Sequence, residues 1–197
     1  MNFAPPSSRP STLLALAAAA ALALATGCSS VDLGGGSGTA TAGAPGAGAA
    51  ALGMQDRVFA LQAAAGGMYE VQAGQLAAAR AADPQVQAFG RMLVDHHTLS
   101  NNELLSLLQA RGLAAPAALP PQLQAKLARL QGLNGPEFDR EFIRNAGLLD
   151  HQVQITLAEQ ASRDAVDPAL RAWFAKNLPV LRQHLGAAQA VAGSMAG

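Results

Sequence analysis

From Met54 onward, apolar residues recur at alternating intervals of four and three, the period of a helix that buries one face. The first stripe, over about Met54 to Ala82, reads Phe59, Ala63, Gly66, Glu70, Ala73 and Ala77. Asp83-Pro84 then supplies an N-cap with proline in the first turn, opening a second helix to about Gly112. Its stripe is Val86, Phe89, Leu93, His96, Ser100, Glu103 and Leu107. Pro116, Pro120 and Pro121 interrupt Leu113 to Gly135, which predicts a crossover holding one or two turns of helix around Leu123, Leu127 and Leu130. Asn134-Gly135-Pro136-Glu137 restarts a helix to about Ser162 that buries Phe138, Phe142, Leu149, Val153 and Leu157. Val166-Asp167-Pro168 opens the last helix, with the stripe Leu170, Phe174, Asn177, Leu181, His184, Ala188 and Val191. Pro179 inside it predicts a kink. Two helical hairpins joined by a longer crossover between helices 2 and 3 predict an all-α four-helix bundle of ferritin-like topology over residues 54–197.

Composition agrees with helix. Alanine abounds, aromatics are 4% and β-branched residues are sparse, so strands lack their usual material. The N-terminal quarter follows a different pattern. Met1 to Pro10 carries Arg9 and no acid, Leu13 to Ala25 is continuously apolar, and Ala25-Thr26-Gly27-Cys28 follows. That is the order of an export signal over residues 1–27. An apolar run this short spans about 20 Å as a helix against a hydrocarbon core of about 30 Å, so it predicts a removed signal rather than a membrane-spanning helix. The ending resembles the lipobox of bacterial lipoproteins, which implies that Cys28 becomes the lipid-bearing first residue. Ser29 in place of Asp resembles the pattern for sorting to the outer membrane, facing the periplasm. Residues 28–53 are almost wholly small or Gly-rich and predict a disordered tether.

Charge narrows the partners. Without Arg9 the 13 basic residues fall to 12 against 13 acidic ones, and neither sign forms a block, which disfavours a nucleic-acid surface. The partners that remain are the membrane, through the lipid, and another envelope protein.

Candidate chemistry lies in polar residues that interrupt the apolar stripes. Glu70, His96, Glu103 and His184 each occupy a position that packing alone would fill with leucine, and His151 stands one step off the third stripe. Inward carboxylates and imidazoles build the metal centres of four-helix bundles, so Glu70, His96, His151 and His184 are the candidate metal ligands. No Glu-x-x-His occurs, however. A satisfied polar network is the reading the pattern favours, with the metal site and a histidine-based ion pair sensitive to pH as its alternatives. His96 and His97 point about 100° apart on a helix, and only one can face the core. No serine has a nucleophile-elbow context, and the single cysteine is the anchor, so nucleophilic catalysis has no support.

An ordered series of short motifs resembles the domain of unknown function 4142 family: Tyr69-Glu70-Val71, Gly74-Gln75-Leu76-Ala77, Phe89-Gly90, Met92-Leu93-Val94-Asp95-His96, Phe138-Asp139, His151 and Leu178-Pro179-x-Leu181-x-x-His184-Leu185. The resemblance implies a ferritin-like helical bundle, commonly exported, with no established activity. The expectation is therefore an exported, lipid-anchored, non-enzymatic envelope or stress-related module needing no cofactor. The alternative is a transition-metal-binding or degenerate ferritin-like oxidoreductase.

Overall fold

Both Asp-Pro junctions begin helices, and in each the aspartate caps the chain that follows. In a computed structural model describing residues 50–196, Asp83 accepts from Gln85 N at the start of one helix and Asp167 from Leu170 N at the start of another. The export signal, Cys28 and most of the tether lie outside the described residues. The elements are α1 (Met54–Arg80), α2 (Pro84–Ala110), α3 (Pro121–Gln131), α4 (Gly135–Phe142), a π-helical segment (Ile143–Leu149), α5 (Asp150–Asp164) and α6 (Pro168–Met195). The described residues include helices and no strand. Because α4, the π segment and α5 run on without a break, they act as one long helix over residues 135–164.

The four long helices close a ring of neighbours: α1 packs on α2, α2 on α6, α6 on α5 and α5 on α1. The crossover helix α3 lies against α1 and α4. It makes three turns rather than the expected one or two, because Pro121 fits the first turn and the helix runs on to Gln131. Helix α6 continues through Pro179. Among the described residues no helix is long and apolar enough to cross a membrane.

Two buried aspartates fasten the junctions from outside. Asp139 of α4 accepts from Ala82 N and Asp83 N at 3.1 and 2.8 Å, and Asp56 of α1 accepts from Val166 N and Asp167 N at 2.9 and 2.7 Å. Each thus satisfies backbone donors that a helix start leaves unpaired, which explains a carboxylate 2% exposed at both places. Between α1 and α2 the backbones approach closely at Gly74 and Gly90. A Cβ on Gly90 would stand 2.7 Å from Ala77 Cβ and 2.8 Å from Gly74 O.

The interior divides into two apolar clusters. One gathers Ala73, Ala77, Val86, Phe89, Leu93, Phe138, Phe142, Ala188 and Val191; the other gathers Phe59, Ala63, Leu104, Leu108, Ala158, Leu170, Phe174 and Leu181. Both are assembled from residues between Leu52 and Val191, so this stretch carries its own core, as a chain segment able to fold alone does. Burying one such phenylalanine or leucine contributes about 1.5–3 kcal/mol.

The stripes of α1 and α6 are buried as expected except at Gly66 and Asn177, which are half-buried, while two others slip. On α2 the buried set after Leu93 is His97, Leu104 and Leu108, one residue later than His96, Glu103 and Leu107. On the third long helix Leu149 and Val153 are exposed, 49% and 67%, and Ala146, Gly147, His151, Ala158 and Ala161 are buried instead. The π segment is the cause: its wider turn takes up one extra residue, and every downstream side chain arrives about 100° later in phase.

Candidate metal centre

Between the two apolar clusters lies a polar level to which each long helix contributes one buried residue. These are Glu70 from α1, His97 from α2, His151 from α5 and His184 from α6. On α2, α5 and α6 the polar residue sits between the stretch that feeds one cluster and the stretch that feeds the other, and on α1 Glu70 directly follows Tyr69 at the near edge of one. For His151 the π slip is decisive, since it turns the ring inward and brings Nδ1 to 2.7 Å from Ala146 O in the π segment.

Four histidines occur in the chain, and all of them meet here. His151 Nε2 lies 3.1 Å from His184 Nδ1, and His184 Nε2 lies 2.7 Å from Nδ1 of His96, whose own backbone position is exposed. Rings of His97, His151 and His184 stand with centroids 5.1 to 5.7 Å apart. Those three each offer a ring nitrogen, all within 4.8 Å of one another. Glu70 reaches two of them: Oε2 is 3.0 Å from His97 Nε2 and Oε1 is 3.3 Å from His151 Nδ1. Gln154 Nε2 donates to Glu70 Oε2 at 3.0 Å.

Protonation follows from burial. Burial disfavours charge on His184, and neighbouring His97 and His151 add to that, lowering its pKa from 6.5 to about 3, so the ring is neutral and its lone pair is available at neutral pH. Burial alone would push the Glu70 carboxyl upward, but His97 and His151 outweigh it and hold Glu70 below the ordinary carboxylate range. An anionic carboxylate at 0% exposure requires a positive counterpart close by. Two polar atoms of this level lack an aligned hydrogen-bond partner among the described residues, Glu70 Oε1 and His97 Nε2. A small cavity of about 30 Å³ opens beside the rings, lined by His96, His97, His184, Ser100, Asn101 and Asn177 among others, with room for one or two waters.

Of the expected set, Glu70, His151 and His184 meet in the interior. His96 does not face the core; it backs His184 from the exposed side, and His97 takes the inward place. Sequence periodicity permitted either histidine, and the signal that would have chosen is the carboxylate on the facing helix. Glu103 lies outside the level and pairs with Lys176.

An all-helical domain with imidazoles and a carboxylate gathered at one interior level is the class of protein these features define. The chain belongs to the family described as Domain of unknown function (DUF4142), whose model matches residues 41–191. No curated protein and no solved structure matches the chain.

Proposed function

We propose that this is an exported, lipid-anchored metal-binding protein, a ferritin-like four-helix bundle that holds one divalent transition-metal ion among His97, His151 and His184. The observation that carries the reading is the convergence of His97, His151, His184 and Glu70, from four helices, on one buried level, with His96 backing His184 from the exposed side. The donor set fits the group. A tetrahedral zinc site with nitrogen ligands has ligand-to-ligand edges of about 3.3 Å. The 3.1 Å between His151 and His184 is already at that scale, and closing the 4.8 Å limit of the triad to such an edge takes about 1.5 Å of side-chain movement. Glu70 Oε1 and His97 Nε2 lie close to ionisable partners yet make no aligned hydrogen bond among the described residues, which suits atoms of a ligand site.

The remaining contacts supply the support such ligands need. Ala146 O fixes the His151 tautomer by accepting from Nδ1, which leaves Nε2 to bind, and His96 performs the same service for His184 through Nε2. Glu70 supplies negative charge that offsets a dication, and Gln154 holds its carboxylate in place. When bound, an ion of this class supplies Lewis acidity to a water or comparably small ligand. The cavity beside His97 and His184 admits nothing larger.

Elemental analysis of residues 50–197 purified without chelators tests the reading. One equivalent of a first-row metal is expected, lost in both His97→Ala and His184→Ala. A metal content of zero, or one unchanged by both substitutions, refutes it. A second reading has its own observation: His96, His184, His151 and the Ala146 carbonyl form an unbroken hydrogen-bonded chain, which suits a satisfied polar network in a non-enzymatic envelope module. A metal-free protein as stable as one supplied with Zn²⁺ supports that alternative. The lipid at Cys28 and placement at the outer membrane, facing the periplasm, rest on the N-terminal residue pattern; globomycin-sensitive incorporation of labelled palmitate tests them.

A further inference from the structure

On the other side of Gln154 from the histidines, a groove of about 630 Å³ runs between α1, α5 and the crossover. Leu61, Pro116, Leu123, Val153 and Leu157 wall it, and its polar groups include Tyr69, Glu70, Asp150 and Gln154, with Gln62 and Gln122 also on its lining. This volume falls within the range of sites that take small organic molecules, which are mostly apolar with a few placed polar groups. Gln154 lines both this groove and the small histidine cavity, and it occupies the space left by the missing side chain of Gly66, where a Cβ would stand 2.6 Å from its Nε2.

The polar groups of the groove are incompletely used. Tyr69, 1% exposed, has a hydroxyl with no hydrogen-bond partner among the described residues, and the same holds for Asp150 Oδ2, while the other oxygen of Asp150 is taken by Lys126. A buried hydroxyl without a partner costs about 1–3 kcal/mol of desolvation. Tyr69 offers a donor and Asp150 an acceptor, and a hydroxyl is a small group that answers both, accepting from the phenol and donating to the carboxylate.

We propose that this groove binds a small, largely apolar alcohol or phenol, its hydroxyl seated between Tyr69 and Asp150 and its hydrocarbon along Leu61, Leu123 and Leu157. Burial and the Asp150 carboxylate keep the Tyr69 phenol protonated, so it remains a donor. The site needs no metal and stands apart from the reading of the histidine level.

Calorimetric titration of residues 50–197 with 4-propylphenol and with propylbenzene tests the proposal. One saturable site for the phenol is expected, with propylbenzene at least about tenfold weaker, since one neutral hydrogen bond is worth about that factor. Tyr69→Phe should weaken the phenol several-fold and leave propylbenzene unchanged, the bond to Asp150 being retained. Val153→Trp, at an exposed rim position, should abolish binding of both without disturbing the core, and it keeps the test decisive if Tyr69→Phe does not fold. No saturable binding, equal binding of the two compounds, or binding unchanged in Val153→Trp would each overturn it.

Discussion

Alanine at His97 and alanine at His96 separate an inner ligand from its outer support, although the two residues are adjacent in the chain. An ion that binds only the folded protein stabilises it by about 2.7 kcal/mol at one hundred times its Kd. For a domain of about 150 residues each kcal/mol moves Tm by about 2–4 °C, so saturating the wild-type site should raise Tm by roughly 5–11 °C. His97 is 6% exposed and sits among the rings of His151 and His184, so His97→Ala should remove the metal-dependent rise altogether. His96 touches only the far nitrogen of His184, and losing such an outer partner weakens metal sites about 10–100-fold. The same Zn²⁺ concentration then stands at about ten times to one times Kd, and the stabilisation falls to about 1.4–0.4 kcal/mol. Scanning calorimetry of residues 50–197 with and without Zn²⁺ measures this, each variant against its own metal-free baseline. An undiminished rise in His97→Ala refutes the site, and equal losses in the two variants refute the division of roles.

Acid should destabilise the metal-free domain early. His184 is held near 3 in the fold against 6.5 unfolded, so the unfolded chain alone takes up that proton between those values. Its contribution is complete above about pH 6.5 and is lost as pH falls, by up to about 1.4 kcal/mol per unit. Urea denaturation from pH 7 to 4 should show the slope, and His184→Gln should flatten it; a flat wild-type profile contradicts the reasoning. Tyr69→Phe removes a buried hydroxyl that has no partner, so the free protein should be as stable as wild type or more so, by up to about 1–3 kcal/mol in chemical denaturation. A loss above about 1 kcal/mol would mean that the hydroxyl is bonded. Gly90→Ala should cost about 1–3 kcal/mol even though alanine is the better helix former by about 1, because the new Cβ meets backbone of α1 that cannot retreat. A rise in Tm would show that the helices can part there.

How far the sequence disclosed this arrangement varies residue by residue. Asp83-Pro84, Asp167-Pro168 and the proline-marked crossover announced the helices, because proline and a capping carboxylate act locally. Glu70 and His184 were legible for a similar reason: each breaks an otherwise apolar stripe on a helix whose phase never slips. The choice between His96 and His97 was not local. A stripe may step by three or by four after Leu93, and what selects four is Glu70 on a helix far away in sequence. His151 was legible as a candidate one step off the stripe, but its inward turn was not, because the extra residue of the π segment leaves no compositional mark in Ile143–Leu149. The fastening roles of Asp56 and Asp139 were not legible, because their partners are backbone amides at junctions they do not adjoin.

The position of the polar level bears on why it exists. A layer of leucine and phenylalanine joining the two apolar clusters would remove the desolvation of one carboxylate and three imidazoles, and replacing buried charged groups by well-packed apolar ones often stabilises by about 1–4 kcal/mol. Stability alone therefore does not account for this level. Holding four helices in one register is a second role, yet a single polar pair suffices for register. Here three inner histidines, a fourth behind them, a carboxylate and an amide are used, the helix phase is slipped by a π turn to admit His151, and Glu70 Oε1 and His97 Nε2 still lack aligned partners. Surplus donor atoms with a backed-up geometry are what a ligand site requires and a structural network does not. That excess favours a bound ion over a merely satisfied core.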